Sequence, residues 1–201
     1  MTGGKHLCAR GRRGRRSALP FETMALPNTV QSLLPVAARG AGALRDVVGG
    51  WVMVGQLPSE SSDWSYRTGA MATERGMHAV RSATGELEAM IDTAWSVFAL
   101  RKRDPKAAFA STILIGRAAT NDVILGHSSV SKLHARVRLR DEGLLLSDAG
   151  SSNGTIVNGE QLAHGEDLAL SSTDLLRFGG VALQLFETTR FFEVLREMAA
   201  R

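Results

Sequence analysis

Alternation governs the second half of the chain. From His134 to Arg140 apolar and charged residues alternate without a break. Ala135, Val137 and Leu139 fall on one side, and Arg136, Arg138 and Arg140 on the other. A period of two puts these sets on opposite faces of a β-strand, one buried and one wet. Other short apolar runs surround it, at 95–100, 112–115, 122–125, 144–147, 155–157, 167–170, 175–178 and 181–186. Clusters of Gly, Ser, Asn and Asp separate the runs. Asn158-Gly159 supplies the positive φ angles of a tight hairpin. Many short strands with turns at close spacing predict an all-β sandwich of antiparallel strands.

Helical spacing occurs at the margins. Phe191, Val194, Leu195 and Met198 fall at i, i+3, i+4 and i+7 and predict an amphipathic C-terminal helix within 189–201, docked on the sandwich or on the N-terminal segment. Val30, Leu33, Leu34, Ala37 and Ala38 recur in the same way, with Pro35 interrupting them. The stretch up to Gly55 therefore reads as a short helix followed by a Gly-broken apolar segment. Residues 57–67, with Pro58, Ser59, Ser61 and Ser62, read as a polar linker, and 70–80 and 86–91 as short helical candidates. The expected organisation is a basic tail at 1–23, a partly helical segment at 24–92, a β-domain at 93–188 and a helix at 189–201.

Composition changes this picture in few places. The apolar and charged fractions, 44% and 22%, are those of a globular protein. The net charge is +4, but Lys5, Arg10, Arg12, Arg13, Arg15 and Arg16 carry six positive charges with no acid among residues 1–16, so the remainder is at −2. The tail reads as a disordered extension, or as an over-extended gene start with Met24 opening the ordinary sequence. Cys8 is the single cysteine, so an intrachain disulfide is excluded, as suits a cytoplasmic protein. No apolar run approaches the roughly 18 residues of a membrane span. Cys8 and the scattered His6, His78, His127, His134 and His164 form no metal-ligand spacing.

The polar clusters between the strands carry the candidate chemistry. They are Gly116-Arg117, Ser131-Lys132-Leu133-His134, the run from Asp148 to Thr155 that contains Ser152-Asn153-Gly154, and Asn158-Gly159. Together they supply an arginine, a lysine, hydroxyls and amides, but no nucleophile–base pair, carboxylate pair or phosphate-binding P-loop. This inventory suits holding an anion and a peptide backbone rather than breaking a bond.

Gly-Arg, Ser-x-x-His, Ser-x-Asn-Gly and a following Asn-Gly, in this order and between strands, resemble the forkhead-associated (FHA) domain, a phosphothreonine-binding β-sandwich. The resemblance covers about 94–187. It implies a non-catalytic signalling adaptor whose partner is a threonine-phosphorylated protein or peptide, and indirectly a Ser/Thr protein kinase, with no cofactor and no metal. It implies that Arg117 grips the phosphate, that Ser131 donates to it, and that Lys132 adds charge. Asn153 would hydrogen-bond the peptide backbone, and Ser152, where threonine is common, would contribute to the pocket. Gly116, His134, Asp148, Gly154, Asn158 and Gly159 would form the loop scaffold. Ala149 stands where leucine is common. Two other readings compete: a degenerate domain serving a structural or oligomerisation role through the N-terminal apolar segment, and nucleic-acid binding through the tail and the Arg136, Arg138 and Arg140 face. The joint presence of Arg117, Ser131 and Asn153 argues against the first, and the charge balance beyond residue 16 argues against the second.

Overall fold

The computed structural model describes residues 28–58, 91–104 and 110–200. Two sheets pack face to face. One has seven strands: β1 (Asn28–Thr29), β2 (Trp51–Gly55), β3 (Ser96–Ala99), β8 (Thr155–Val157), β9 (Glu160–Gln161), β11 (Leu175–Phe178) and β12 (Val181–Glu187), in the order β1-β3-β2-β12-β11-β8-β9. The other has five: β4 (Thr112–Gly116), β5 (Val123–Ile124), β6 (Ala135–Arg140), β7 (Gly143–Asp148) and β10 (Leu168–Leu170), in the order β10-β7-β6-β4-β5. Pairing is antiparallel except between β4 and β5, which run parallel, with Ile115 opposite Val123. That pair departs from the all-antiparallel expectation because the chain loops back after Gly116 instead of making a hairpin.

The alternating pattern builds the core between the sheets. Ala135 and Val137 of β6 are fully buried with Ile113, Ile115 and Leu146, and meet Met53, Leu176, Phe178, Leu183 and Leu185 of the larger sheet. Arg136 and Arg140 are exposed on the outer face. Asn158 and Gly159 both have positive φ, 52° and 90°, and close the β8–β9 hairpin.

The larger sheet is covered on its other face as well. Helices α1 (Val30–Ala37), α2 (Ala41–Val48) and α3 (Thr188–Ala199) enclose a second core. Val52, Val54, Val97 and Phe186 face it from the strands, while Leu33, Leu44, Val48, Phe191 and Leu195 face it from the helices. Leu185 and Phe186, adjacent in β12, therefore belong to different cores. Pro35 lies inside α1 without ending it. The helix is short and capped at its start, where the Thr29 hydroxyl accepts from the Ser32 amide and the Ser32 hydroxyl from the Thr29 amide.

Residues 51–55 form a strand where the sequence suggested an irregular apolar stretch. β2 lies between β3 and β12, inside the sheet. Buried on both faces, it shows no alternation, and a continuous apolar run of five residues does not distinguish strand from helix. The sheet thus includes two strands, β1 and β2, from outside 93–188. The tail at 1–23, most of the linker at 57–67, the candidate helix at 70–80 and all but Ile91 of the 86–91 candidate lie outside the described residues. Among the described residues no helix is long and apolar enough to cross a membrane.

Candidate functional site

Loops 117–122, 125–134 and 149–154 and the β11–β12 turn at Gly179-Gly180 gather at one end of the sandwich. Backbone hydrogen bonds fuse the first two: Arg117 N–H donates to the Ser131 carbonyl (2.9 Å) and Ala118 N–H to the Lys132 carbonyl (3.1 Å). The approach is so close that a Cβ on Gly116 would lie 2.4 Å from the Lys132 oxygen and 2.9 Å from the Ser131 oxygen. Only glycine fits there. Asn121, buried at 3% exposure, donates from its side-chain amide to the same Lys132 carbonyl (2.6 Å) and to that of Ala118 (3.0 Å).

Two buried side chains fix the loops from below. Asp148 accepts from the Gly150 and Ser151 amides (2.8 Å each), the Ser151 hydroxyl (2.7 Å) and the Thr155 hydroxyl (2.6 Å). Burial alone would raise its pKa; these donors, led by Thr155, outweigh burial and hold it below the usual carboxylate value. His134 is fully buried, with its ring edge-on to Phe178 at 5.7 Å. Its Nδ1 accepts from the Ser131 amide (3.1 Å), so the proton resides on Nε2, which donates to the Gly154 carbonyl (3.1 Å). Burial depresses its pKa, against smaller opposing effects of the Gly154 carbonyl and the Asp148 charge. His134 therefore serves as a neutral brace between two loops. Gly154, at φ 74°, takes the left-handed turn that follows Asn153.

Above this layer lies an open groove of about 430 Å³, and Arg117, Ser131, Lys132, Ser152 and Asn153 all line it, together with Ser128 and Gly150. Arg117 is exposed, and its Nε donates to the Val130 carbonyl (3.1 Å). The Ser131 hydroxyl accepts from the Ser152 amide (3.0 Å) and points its own proton at the Ser152 hydroxyl across 3.4 Å. Asn153 lines the groove and donates to the Ser129 carbonyl (2.7 Å), which uses one of its two side-chain N–H groups. Asn158 and Gly159 lie elsewhere. Asn158 bonds Asp174 and Leu175 (2.9 Å each) and braces the turn before β11 at the opposite end of the sandwich.

Several supports escaped the sequence reading. Ser129 is buried; its hydroxyl accepts from the Gly180 amide (2.8 Å) and lies 2.7 Å from His127 Nδ1. Asp122 accepts from Lys102 (2.8 Å), the Leu114 amide (2.9 Å) and the Arg103 amide (3.1 Å). These residues look like ordinary loop polars, and periodicity carries no signal for a polar group buried beneath a loop.

A cationic groove borne on fused loops at the end of a β-sandwich defines a binding module. Residues 113–179 match the family model of the FHA domain, and the chain contains an FHA domain there. No curated protein matches the chain. Similar solved structures include the N-terminal FHA domain of S. cerevisiae Rad53p in complex with a phosphothreonine peptide (31% identity, 41% of this chain and 72% of that chain, TM-score 0.36). The FHA domain of CT664 from Chlamydia trachomatis is another (29% identity, 38% and 76%, TM-score 0.36). A third is the FhaA FHA domain complexed with the intracellular domain of Rv3910 (26% identity, 44% and 86%, TM-score 0.37).

Proposed function

We propose that the chain is a non-catalytic phosphothreonine-peptide binding module acting as a signalling adaptor in Ser/Thr kinase pathways. One observation carries this reading. Arg117, Ser131 and Lys132 present donors to a single groove, while the carboxylates of the surrounding loops are already satisfied: Asp148 by four donors, Asp122 by Lys102 and two amides. The positive charge is thus available to a ligand. A phosphothreonine brings nearly two negative charges and three acceptor oxygens. Arg117, with its Nε fixed on Val130, presents its terminal nitrogens to fork onto two of them. The Ser131 proton turns from Ser152 to a third, and Lys132 adds a point charge. Asn153 then pairs through its free amide atoms with the peptide backbone beside the phosphothreonine.

The helical layer argues against oligomerisation as the primary role, because the apolar faces of α1, α2 and α3 are spent on the domain's own second core. The test is titration with three peptides that differ only in carrying threonine, phosphothreonine or glutamate at one position. Phosphothreonine should bind at least tenfold tighter than glutamate. Glutamate has one charge and two acceptors, and a donor left desolvated without a partner costs about 1–3 kcal/mol. Equal affinities for the phosphorylated and unmodified peptides would remove the reading.

A further inference from the structure

The loop that begins at Arg117 holds a second arginine, Arg103, with no assigned task. Arg103 is exposed, yet it is held. Its Nη1 donates to the Ala119 carbonyl (2.7 Å) and lies 3.3 Å from that of Asn121, and its backbone amide donates to Asp122 (3.1 Å). Both carbonyls belong to the loop that begins at Arg117. Through Ala118 and Asn121 that loop is bonded to Lys132. Arg103 therefore sits on the same rigid unit as the groove.

We propose that Arg103 is a specificity residue that contacts a second negative charge on the ligand, so that the preferred partner is a phosphothreonine peptide with an acidic residue on the flank crossing loop 117–122. The proposal rests on the phosphothreonine reading above. Three observations support it. First, the charge is not cancelled: Asp122, the carboxylate nearest in the bonding network, takes the Lys102 ammonium instead, and among the described residues no carboxylate pairs with the Arg103 guanidinium. Asp104, next in the chain, is engaged in a contact of its own. Second, the guanidinium is anchored at one edge only. Nη1 is spent on carbonyls, and the remaining donors stay available in the fork geometry that suits a carboxylate. A pinned side chain also gives up less rotamer freedom on binding than a free surface arginine. Third, Arg117, Lys132 and Arg103 bring three positive charges to one end of the domain, against the one and a half to two of a phosphate. A further carboxylate on the ligand balances the remainder.

The test uses the full chain and an alanine-flanked phosphothreonine peptide in which a single glutamate is placed in turn at each of the three positions on either side. Wild-type protein should bind one flank's glutamate peptides about threefold to fivefold tighter than the parent, the range of an exposed ion pair. The gain should shrink at high salt. Arg103→Ala should erase this gain and leave the parent peptide's affinity unchanged. Arg103→Gln, which removes the charge but keeps a polar side chain, should do the same. A wild-type profile without any position-dependent gain, a gain that survives both substitutions, or equal losses on parent and glutamate peptides would overturn the role of Arg103 while leaving phosphothreonine binding in place. A wild-type protein that binds no phosphorylated peptide would overturn both.

Discussion

The loop end of the sandwich consists of two layers that obey opposite rules. The lower layer, made of Asp148, His134, Asn121 and Ser129, is buried and bonded almost to capacity. The upper layer, made of Arg117, Ser131, Lys132, Ser152 and Asn153, is exposed or half-buried and holds its side chains by few bonds. The difference shows how the fold divides its work. Buried polar groups are costly unless satisfied, so the saturated ones fix loop shape. Groups that must meet a ligand keep donors in reserve. Substitutions in the two layers should therefore separate binding from stability.

The largest effect is expected in the upper layer. Arg117→Ala should cost about 2–5 kcal/mol of phosphopeptide affinity, the scale for removing one side of a hydrogen-bonded charge pair. The melting temperature should barely change, because the side chain is exposed and makes a single bond to Val130. Titration calorimetry beside a thermal melt checks both halves. Affinity retained within a few-fold would dissolve the distinction between the layers.

Asp148→Ala inverts the result. It strands the Gly150 and Ser151 amides and the Thr155 hydroxyl, of which Thr155 is fully buried. At about 1–3 kcal/mol for each unsatisfied buried donor, a loss of about 3 kcal/mol of folding stability is expected in chemical denaturation. Binding should fall only as far as the folded fraction and the order of loop 149–154 fall. A variant as stable as wild type would show that the carboxylate is not what fixes the loop.

Asn153→Ala sharpens the comparison within the upper layer. It should weaken phosphopeptides by about 1–2 kcal/mol, the scale of a polar contact, and free phosphothreonine much less, since the assigned partner is peptide backbone. Equal losses on the two ligands would move Asn153 into the supporting layer.

The smallest effect concerns acid. His134 is held neutral, with its folded pKa below the ordinary 6.5, so the unfolded chain binds its proton more readily. The stability this contributes is complete above pH 6.5 and is lost as pH falls below it. Asp148 and Asp122, also depressed, begin to lose their share only below their ordinary 3.8. Denaturation midpoints should therefore decline in two stages on acidification, and His134→Asn should flatten the first. A stability profile flat from pH 7 to pH 5 would contradict the brace.

The upper layer was legible in the sequence for a physical reason. The groove-lining groups are particular residue types at fixed points between strands, and Gly116 and Gly154 mark where the backbone must come close or turn. The sandwich was legible because β6 and its neighbours have one buried and one open face. β2 has no open face, and its apolar run looked like any buried segment. Asn121 and Ser129 were illegible because a polar residue buried beneath a loop reads the same as one in solvent. Arg103 sits in a connection with no periodicity, and its carbonyl partners are set by tertiary contacts alone.

The placement of β2 between β3 and β12 also constrains how the protein is made. The Thr188 hydroxyl bonds the Gly49 carbonyl across 139 residues, and β12 pairs with β2 along four positions. The middle of the larger sheet cannot close until β12 has been synthesised. Contacts of such long range are slow to form, since the loop-closure entropy comes before the reward. A nascent chain carrying every groove residue from Arg117 to Gly154 would still lack the strand that completes the scaffold. A chain cut short anywhere before β12 leaves β2 and β11 without their shared partner, an open sheet edge that invites aggregation.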